Sequence, residues 1–158
     1  TRIVLRPIRP EDEPRWRDFL SECSDDSIRL RFRALFERSS HDVATRYCFL
    51  DYDREMSVVA EARDDSGAKI IGVGNLFGDP NQDSAEFAVL VCDRWHGRGL
   101  GELLTDQCLN IALVWGVKRI YAETGHGNSR MLALFAKRGF ALKRDFEEGV
   151  VWVDKALC

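Results

Sequence analysis

A short glycine-rich turn, set between an apolar segment and a helix-forming one, carries the densest chemistry of this chain. It lies within residues 89–101 and combines three alternate glycines with three basic or potentially basic side chains: Gly97, Gly99, Gly101, Arg94, His96 and Arg98. Glycine lets the backbone approach a ligand closely, and the helix start offers unpaired N–H groups and the positive end of a dipole. We predict an anion site here, most naturally for a phosphate or pyrophosphate, in preference to a turn without a ligand.

A single carboxylate stands in the apolar segment that precedes the turn. Residues 85–91 read AEFAVLV, so Glu86 is the one charged residue of an otherwise apolar strand. A carboxylate in apolar surroundings is costly, and burial raises its pKa toward the range useful for a general base. Glu86 is therefore the candidate catalytic residue. The alternative is a glutamate that pairs with an arginine or stands at the exposed start of the strand.

Length, composition and charge indicate one globular domain and argue against nucleic acid and membranes as partners. The chain has 158 residues, of which 45% are apolar and 31% charged, and its net charge is −3. Such a chain can build a substantial core, and its small net charge creates no field that would attract nucleic acid or an anionic membrane. No apolar run approaches the length of a membrane span, and no secretory leader is visible.

The cysteines and histidines are typical of a protein of a reducing compartment that binds no metal. The five cysteines are widely spaced without a CxxC pair, and the three histidines are scattered. Neither pattern fits a disulfide framework or a zinc site, so we expect free thiols, a cytoplasmic location and no metal. The chain begins at Thr1, and we expect residues 1–158 to form a single domain, compatible with excision from a longer multidomain chain.

The spacing of apolar residues predicts an α/β fold, a mixed sheet with helices on its faces. Strands are predicted at residues 3–5, 56–62, 69–77, 85–91, 119–123, 142–146 and 150–156, and helices at 10–20, 27–32, 40–49, 99–115 and 128–137. The strand at 85–91 is apolar on both faces apart from Glu86, which places it in the centre of the sheet. The helix at 99–115 has an apolar face formed by Leu100, Leu103, Leu104, Cys108, Ile111 and Trp115.

Two common nucleotide-binding motifs fit the turn poorly. The Walker P-loop pattern GxxxxGK[ST] is absent. A dinucleotide-binding GxGxxG needs a third glycine where this chain has Glu102, although Glu123 stands near the position of the expected acidic residue. The first glycine also lies six residues beyond Val91, whereas a dinucleotide-binding turn follows its strand almost immediately.

Two segments at a suitable separation instead carry a family resemblance. Arg94-x-x-Gly97-x-Gly99, followed by Leu100 and Gly101, matches the acetyl-CoA pyrophosphate motif of the GNAT acetyltransferase superfamily. Residues 128–140, NSRMLALFAKRGF, resemble the GNAT pattern N-x-x-(A/M)-x-x-L-(Y/F)-x-x-x-G-F throughout. The order of elements also fits, so the chain resembles this superfamily over essentially its whole length. The resemblance implies a splayed, mostly antiparallel central sheet with helices on both faces.

Four further segments narrow the resemblance. Residues 6–12 (RPIRPED), 27–32 (SIRLRF), 51–56 (DYDREM) and 85–89 (AEFAV) are similar to the catalytic domain of bacterial Pat-type protein lysine acetyltransferases. This resemblance implies transfer of an acetyl group to a protein lysine, typically on an acyl-CoA synthetase that is thereby switched off. It also implies that a longer chain can add a synthetase-like or nucleotide-binding regulatory domain.

The resemblance implies a role for each part of the acetyl-CoA site. The main chain of Val89 and Val91 would lie along the pantetheine arm, and the N–H groups of residues 96–101 would hold the pyrophosphate. Asn128 would both cap its helix and reach the pantetheine. Met131 and Phe135 would line the thioester side, although helical spacing alone makes them ordinary core residues.

The implied reaction is direct attack by the lysine amine within a ternary complex, with Glu86 as general base. A lysine amine has a pKa near ~10.4, so a base must remove its proton before it can attack. Many GNAT enzymes have a tyrosine acid where this chain has Phe135, and that departure removes the usual proton donor to the leaving thiolate. A covalent intermediate on Cys92 is a weaker alternative, because no recognisable motif ties a histidine to it.

No motif of this chain identifies the acceptor. Charged residues of two segments would border the acceptor groove: Arg29, Arg31, Arg33, Asp51, Asp53, Arg54 and Glu55. Taken singly, each is more simply a solvated surface residue, but together they suit a protein surface better than a small apolar amine. A small-molecule amine acetyltransferase and a non-catalytic acetyl-CoA-binding module remain the alternatives.

Overall fold

The structure is a computed structural model that describes residues 2–32, 48, 54–81 and 83–157. Its strands are β1 (Arg2–Pro7), β2 (Glu55–Asp64), β3 (Gly67–Gly78), β4 (Ser84–Val91), β5 (Arg119–Gly125), β6 (Ala141–Asp145) and β7 (Val150–Ala156). The α-helices in the described part are α1 (Glu13–Glu22), α2 (Asp25–Phe32), α3 (Leu100–Trp115) and α4 (Ser129–Lys137), with short 3-10 turns at Pro10–Asp12 and Asp93–Trp95.

The predicted α/β class and element order are confirmed, with small shifts at the ends of elements. Apart from Cys48, the helix expected at 40–49 lies outside the described residues, as do the expected acceptor residues Arg33, Asp51 and Asp53. The strand expected at 142–146 begins and ends one residue earlier, and Phe146 stands in the following turn. The prediction that Leu103 belongs to the inner face of α3 is wrong, since its side chain is 47% exposed. The buried stripe repeats every four residues, at 100, 104, 108 and 112, and this spacing leaves position 103 beside it.

The seven strands form one mixed sheet in the order β1-β2-β3-β4-β5-β7-β6, which confirms that the strand at 85–91 is central. β4 pairs with β3 in antiparallel fashion from Gly78 opposite Ala85 to Gly72 opposite Val91. On its other side β4 runs parallel to β5 but pairs over three positions only, of which Glu86 opposite Tyr121 is the last. Beyond that pair the two strands diverge, as the expected splayed sheet requires.

Helices cover both faces of the sheet. On one face, α3 and α4 pack on β4 and β5 through Cys108, Leu132 and Phe135, which contact Phe87 and its neighbours. Two glycines of β3 let α3 lie directly against the sheet, because a Cβ on Gly74 would stand 2.8 Å from the Cys108 Sγ atom. The opposite face is covered by α1 and α2, whose side chains pack on β2, β3 and β4: Trp16, Phe19, Leu20 and Ile28.

A buried ion network fastens β1 to the start of α1 and explains part of the segment 6–12. The Arg6 guanidinium donates two hydrogen bonds of 2.7 Å to the Asp12 carboxylate and another of 2.7 Å to Glu61 on β2. Asp12 also accepts a hydrogen bond from the backbone N–H of Arg9. The Asp12 and Glu61 side chains are almost fully buried. Arg63 and Arg15 also pair with Glu61, so the three arginines together compensate two carboxylates that would otherwise be costly to bury.

This network makes stability depend on pH in a defined direction. Burial alone would raise the pKa of Asp12 and of Glu61, but hydrogen bonds outweigh it and both pKa values are lowered. Arg6 donates to both carboxylates, helped by the Arg9 backbone at Asp12 and by Arg63 at Glu61. A carboxylate with a lowered pKa in the folded state stabilises the fold above its unfolded pKa. That contribution is lost as the pH falls through the folded value.

We expect Arg6→Ala to lower the free energy of unfolding at neutral pH by about 3–5 kcal/mol, since it leaves a buried carboxylate without its cation. Urea denaturation measures this change. Arg29→Ala is the matched control, because the exposed Arg29–Asp26 pair is worth no more than about 1 kcal/mol. Wild-type stability should also fall as the pH drops below about 4, and more steeply than in Arg6→Ala. Equal acid slopes in the two proteins would contradict the assigned network.

Candidate active site

The divergence of β4 and β5 leaves one edge of β4 facing an open cleft. The backbone N–H of Cys92 donates a 2.9 Å hydrogen bond to the Ile71 carbonyl of β3. Because successive strand residues point their backbone groups to opposite sides, those of Val89 and Val91 face away from β3 and toward the cleft. One of these groups, the Val91 carbonyl oxygen, lies within hydrogen-bond distance of the His96 ring, 2.8 Å from its Nε2 atom. The cleft therefore has a polar wall of main-chain atoms.

A cavity of about 460 Å³ occupies this cleft. It brings together most of the residues that the sequence predicted to bind the cosubstrate: Val89, Val91, His96, Gly97, Gly99, Leu100, Gly101, Asn128 and Met131. The cavity extends to α2 through Ser27 and Arg31 and along α4 through Arg130 and Lys137. The last two cations were not anticipated, although the residue types of the segment 128–140 could have indicated them.

The glycine turn presents the start of α3 to the cavity. Gly97 and Gly99 have φ angles of +75° and +84°, a left-handed conformation that glycine adopts without strain. Gly99 is the N-cap and has no side chain to cap the helix, so no side-chain acceptor occupies the first N–H groups of α3. Glu102 adds a negative charge to the first turn, but Lys137 and Arg138 lie 3.4 and 3.5 Å from its oxygens and offset it. These features suit an anion.

Four predicted site residues stand apart from the cavity wall. Arg94 is exposed and pairs with Glu22 at 3.1 Å, while the Arg98 guanidinium lies 4.7 Å above the Trp95 ring. Phe135 is buried in the core, edge-on to Phe87, with ring centroids 5.5 Å apart. The fourth is Glu86, which lies at the junction of the two strands.

Asn128 occupies the predicted N-cap position of α4, but the expected cap bond is not made. Its backbone carbonyl accepts the first helical hydrogen bond, from Leu132, whereas its side chain forms no cap bond. The side-chain amide donates instead to the Thr124 hydroxyl of β5 at 3.0 Å. The amide is therefore turned from its own helix toward the strand at the far side of the cleft.

Glu86 lies at the last position where β4 and β5 still pair, on the face of the sheet that α2 covers. Its neighbour Phe87 points to the opposite face, into the core beneath α4. Part of the Glu86 side chain reaches solvent, and within the described part of the chain it makes no hydrogen bond or ion pair. Burial raises the pKa of its carboxyl, Glu123 and Asp79 raise it further, and Arg31 opposes them. The expected raised pKa is thus present in a carboxylate that is accessible.

One tie between distant residues could not be found by sequence reasoning. The Asp93 carboxylate, at the entrance to the glycine turn, accepts hydrogen bonds from the backbone N–H and hydroxyl of Ser24 and from the hydroxyl of Ser27. These partners lie 66 and 69 residues away along the chain. The tie fixes the start of α2 to the turn, and so keeps both walls of the cavity in register.

The described residues form neither a metal-binding cluster nor a membrane-spanning helix. Within the described ranges, no group of three or more histidine, cysteine or acidic side chains is arranged to hold a metal ion. No helix in the same part of the chain is long and apolar enough to span a membrane.

Comparison with known proteins identifies the family of this fold. Residues 15–140 match the model of the acetyltransferase (GNAT) family. The fold superposes on the GNAT domain of S. lividans PAT with a TM-score of 0.85 and 29% sequence identity, over 97% of this chain and 89% of that one. Acetyltransferase PA5475 of Pseudomonas aeruginosa is 26% identical over 90% of this chain and 77% of its own length. A mycothiol acetyltransferase of Jonesia denitrificans is 36% identical over 47% of this chain and 24% of its own length.

A fold of this kind, with a cleft between diverging central strands and a glycine turn at its end, defines an acyl-CoA-dependent acyltransferase. The chain belongs to the GNAT family of acetyltransferases, whose enzymes use acetyl-CoA. The predicted resemblance to GNAT proteins and to the Pat-type domain is confirmed.

Two glycine variants should separate ligand contact from backbone strain. Alanine at Gly99 must adopt a left-handed conformation at a cost of about 1–2 kcal/mol, so Gly99→Ala should lower both stability and CoA affinity. Gly101 lies inside α3, and no protein atom would stand within 4 Å of an added Cβ. Gly101→Ala should therefore keep or raise the melting temperature while it weakens CoA binding by crowding the ligand. Calorimetric titration and thermal denaturation measure the two effects, and unchanged CoA affinity in both variants would contradict an anion site here.

Proposed function

We propose that this domain transfers the acetyl group of acetyl-CoA to the ε-amine of a lysine on a protein, and that the acceptor is an acyl-CoA synthetase. One observation carries the enzymatic part. An accessible carboxylate with a raised pKa, Glu86, stands where β4 and β5 separate, three residues along β4 from the cavity-lining Val89, and the same cavity ends at the glycine turn. A cosubstrate in that cleft would have its reactive end close to the base.

The cleft has suitable groups for each part of acetyl-CoA. The N–H groups of residues 96–101 would bind the pyrophosphate, as at other glycine-rich helix starts. The backbone of Val89 and the N–H of Val91 would pair with the amides of the pantetheine arm. Val89 is three residues from Glu86, or roughly 10 Å along an extended strand, so the arm can lead from the turn toward the base. The side chain of Asn128, held by Thr124, would approach the arm from the far wall.

Glu86 would supply the proton transfer that the reaction needs. It accepts a proton from the lysine ammonium, directly or through water, and the neutral amine attacks the thioester carbonyl. The tetrahedral intermediate collapses with loss of the CoA thiolate, a far weaker base than an amine, so protonation of the leaving group by a protein acid is optional. That fits the burial of Phe135 in the core at the position where many relatives have a tyrosine.

The likeness to the Pat-type domain supports a protein acceptor. At 29% identity over nearly the full length of both chains, it covers the acceptor side as well as the cosubstrate side. α2 bears an exposed Arg29 and the cavity-lining Arg31, so the described rim of the acceptor side is charged, as suits a protein surface. A cytoplasmic location, a single domain over residues 1–158 and a regulatory domain in a longer chain belong to the same proposal.

Direct transfer is preferred to a covalent relay. Cys92 is the cysteine nearest the turn, but it is buried, with 1% of its surface exposed, and its backbone is bonded into the sheet. A thiol so enclosed cannot meet a thioester in the cleft without opening the core beneath α1. Attack by the acceptor amine within one ternary complex requires no such movement.

A small-molecule amine is the second candidate acceptor. The partial likeness to a mycothiol acetyltransferase favours it, because that name gives mycothiol and not a protein. The two acceptors imply the same chemistry at Glu86 and the same cosubstrate site. They differ only in the surface that must border the acceptor amine.

The function is tested by incubating the domain with acetyl-CoA and a panel of purified acyl-CoA synthetases, followed by intact-mass and peptide analysis. We expect one synthetase lysine to gain an acetyl group. Glu86→Gln should keep CoA affinity but slow transfer by about 10²–10⁴-fold, the contribution of a general base. Asp83→Asn is the matched control, since this exposed carboxylate near the start of β4 lies 3.9 Å from Lys118 and should leave transfer intact.

The same preparation is then offered a set of small primary amines. Acetylation of these alone, again dependent on Glu86, would replace the protein acceptor by the second candidate. CoA binding without transfer to any acceptor would contradict the enzymatic proposal and leave a binding module.

A further inference from the structure

The surroundings of Glu86 contain a hydrogen-bonded pair that the mechanism above does not use. Tyr121 of β5 stands opposite Glu86 in the last parallel pair, so the two side chains share the face beneath α2. Asp79 follows the end of β3. Its backbone N–H donates a 2.8 Å hydrogen bond to the Ser84 carbonyl and so joins it to β4. The Tyr121 hydroxyl donates a 3.0 Å hydrogen bond to the Asp79 Oδ1 atom.

This hydrogen bond joins three elements around the base. Phe77 of β3 lies opposite Glu86, and Asp79 follows it by two positions, so Asp79 is a diagonal cross-strand neighbour of Glu86. Tyr121 reaches across β4 to hold the Asp79 carboxylate from the other side. The tyrosine ring is itself fixed by Arg119, whose guanidinium lies 5.1 Å from the ring centre and also pairs with Asp154 at 3.0 Å.

We infer that Asp79 and Tyr121 are positioning residues for the transfer reaction: the tyrosine hydroxyl holds the Asp79 carboxylate beside Glu86, and that fixed negative charge strengthens Glu86 as a base. The inference rests on the proposed function, because it assigns to these residues a role in proton removal by Glu86. It adds two side chains, neither of which contacts the reacting atoms.

Three charged groups on the described elements around Glu86 influence its ionisation. Arg31 of α2 favours the ionised form of Glu86, whereas Asp79 and Glu123 disfavour it. Burial is the largest influence and acts in the same direction as the two acids. The pKa of Tyr121 is raised to about 12 by burial and by its bond to Asp79, so the hydroxyl keeps its proton and remains a donor at neutral pH. Asp79 is held in place by the hydrogen bond from the Tyr121 hydroxyl.

A general base must bind a proton strongly enough to accept one from an ammonium group. The hydrogen-bonded pair of Asp79 and Tyr121 would strengthen Glu86 in this respect. A carboxylate of ordinary pKa is a poor base toward lysine, and each fixed negative charge nearby improves it. An untethered Asp79 could turn its charge toward solvent, where water would screen it. The tyrosine hydroxyl prevents that rotation.

The titration of Glu86 itself tests the inference without any acceptor. Carbon-13 NMR of the side-chain carboxyls follows Glu86 through a pH series in the whole domain, and Glu86→Gln identifies its signal. We expect Asp79→Asn to move the Glu86 midpoint to lower pH, and Tyr121→Phe to move it less in the same direction. Asp83→Asn removes the same charge from the same loop and should leave the midpoint unchanged.

A midpoint that stays in place in Asp79→Asn, or moves equally in Asp79→Asn and Asp83→Asn, overturns the inference. The pH dependence of kcat/KM for a lysine acceptor is the second measurement. In Asp79→Asn its acid limb should move to lower pH with the NMR midpoint, and its plateau should fall while CoA affinity is unchanged. Absence of lysine transfer in the wild type would refute the proposed function and would leave the NMR result standing on its own.

Discussion

The separation of two central strands is the constraint on which the rest of this structure depends. A buried strand edge leaves N–H and C=O groups without partners, and such groups are costly unless something satisfies them. β4 meets this cost on one side through its full ladder with β3, and on the other only as far as Glu86. What remains open is a short main-chain edge, partly taken by the His96 ring and otherwise available to a ligand with amides. The cleft is thus a gap in the sheet that the cosubstrate is suited to fill.

Several unrelated interactions keep that gap from closing. The glycines of β3 allow α3 to sit against the sheet, so the glycine turn that precedes α3 is held at a fixed height. Asp93 binds the same turn to α2, and α4 lies along the far wall with its aromatic residue wedged under Phe87. The Arg6 network anchors the distant end of the sheet and the connection to α1. Several of these contacts join segments that are far apart in the chain, and those made by Asp93, α3 and α4 hold the walls of the cleft.

Local sequence patterns predict most of the fold and the chemically distinctive glycine turn. Apolar periodicity places the elements, and the run at 85–91 reveals a central strand because both of its faces are apolar. The positions of side chains depended on partners that periodicity does not encode. The Asn128 side chain bonds to Thr124 and not to its own helix, and the Arg94 side chain pairs with Glu22 and does not line the cavity. The bond between Asp93 and α2 joins segments whose meeting is decided by the whole topology, so neither segment signals it alone.

The open edge of β4 presents backbone and not side chains to the cleft, and this has a consequence for how the family can vary. Every amino acid except proline supplies the same N–H and C=O groups, so mutational drift at positions such as Val89 and Val91 leaves that surface chemically unchanged. Side chains on the two faces are then free to adapt to a new acceptor or a new core. A cosubstrate site built from main-chain groups can therefore persist after the side chains around it have changed.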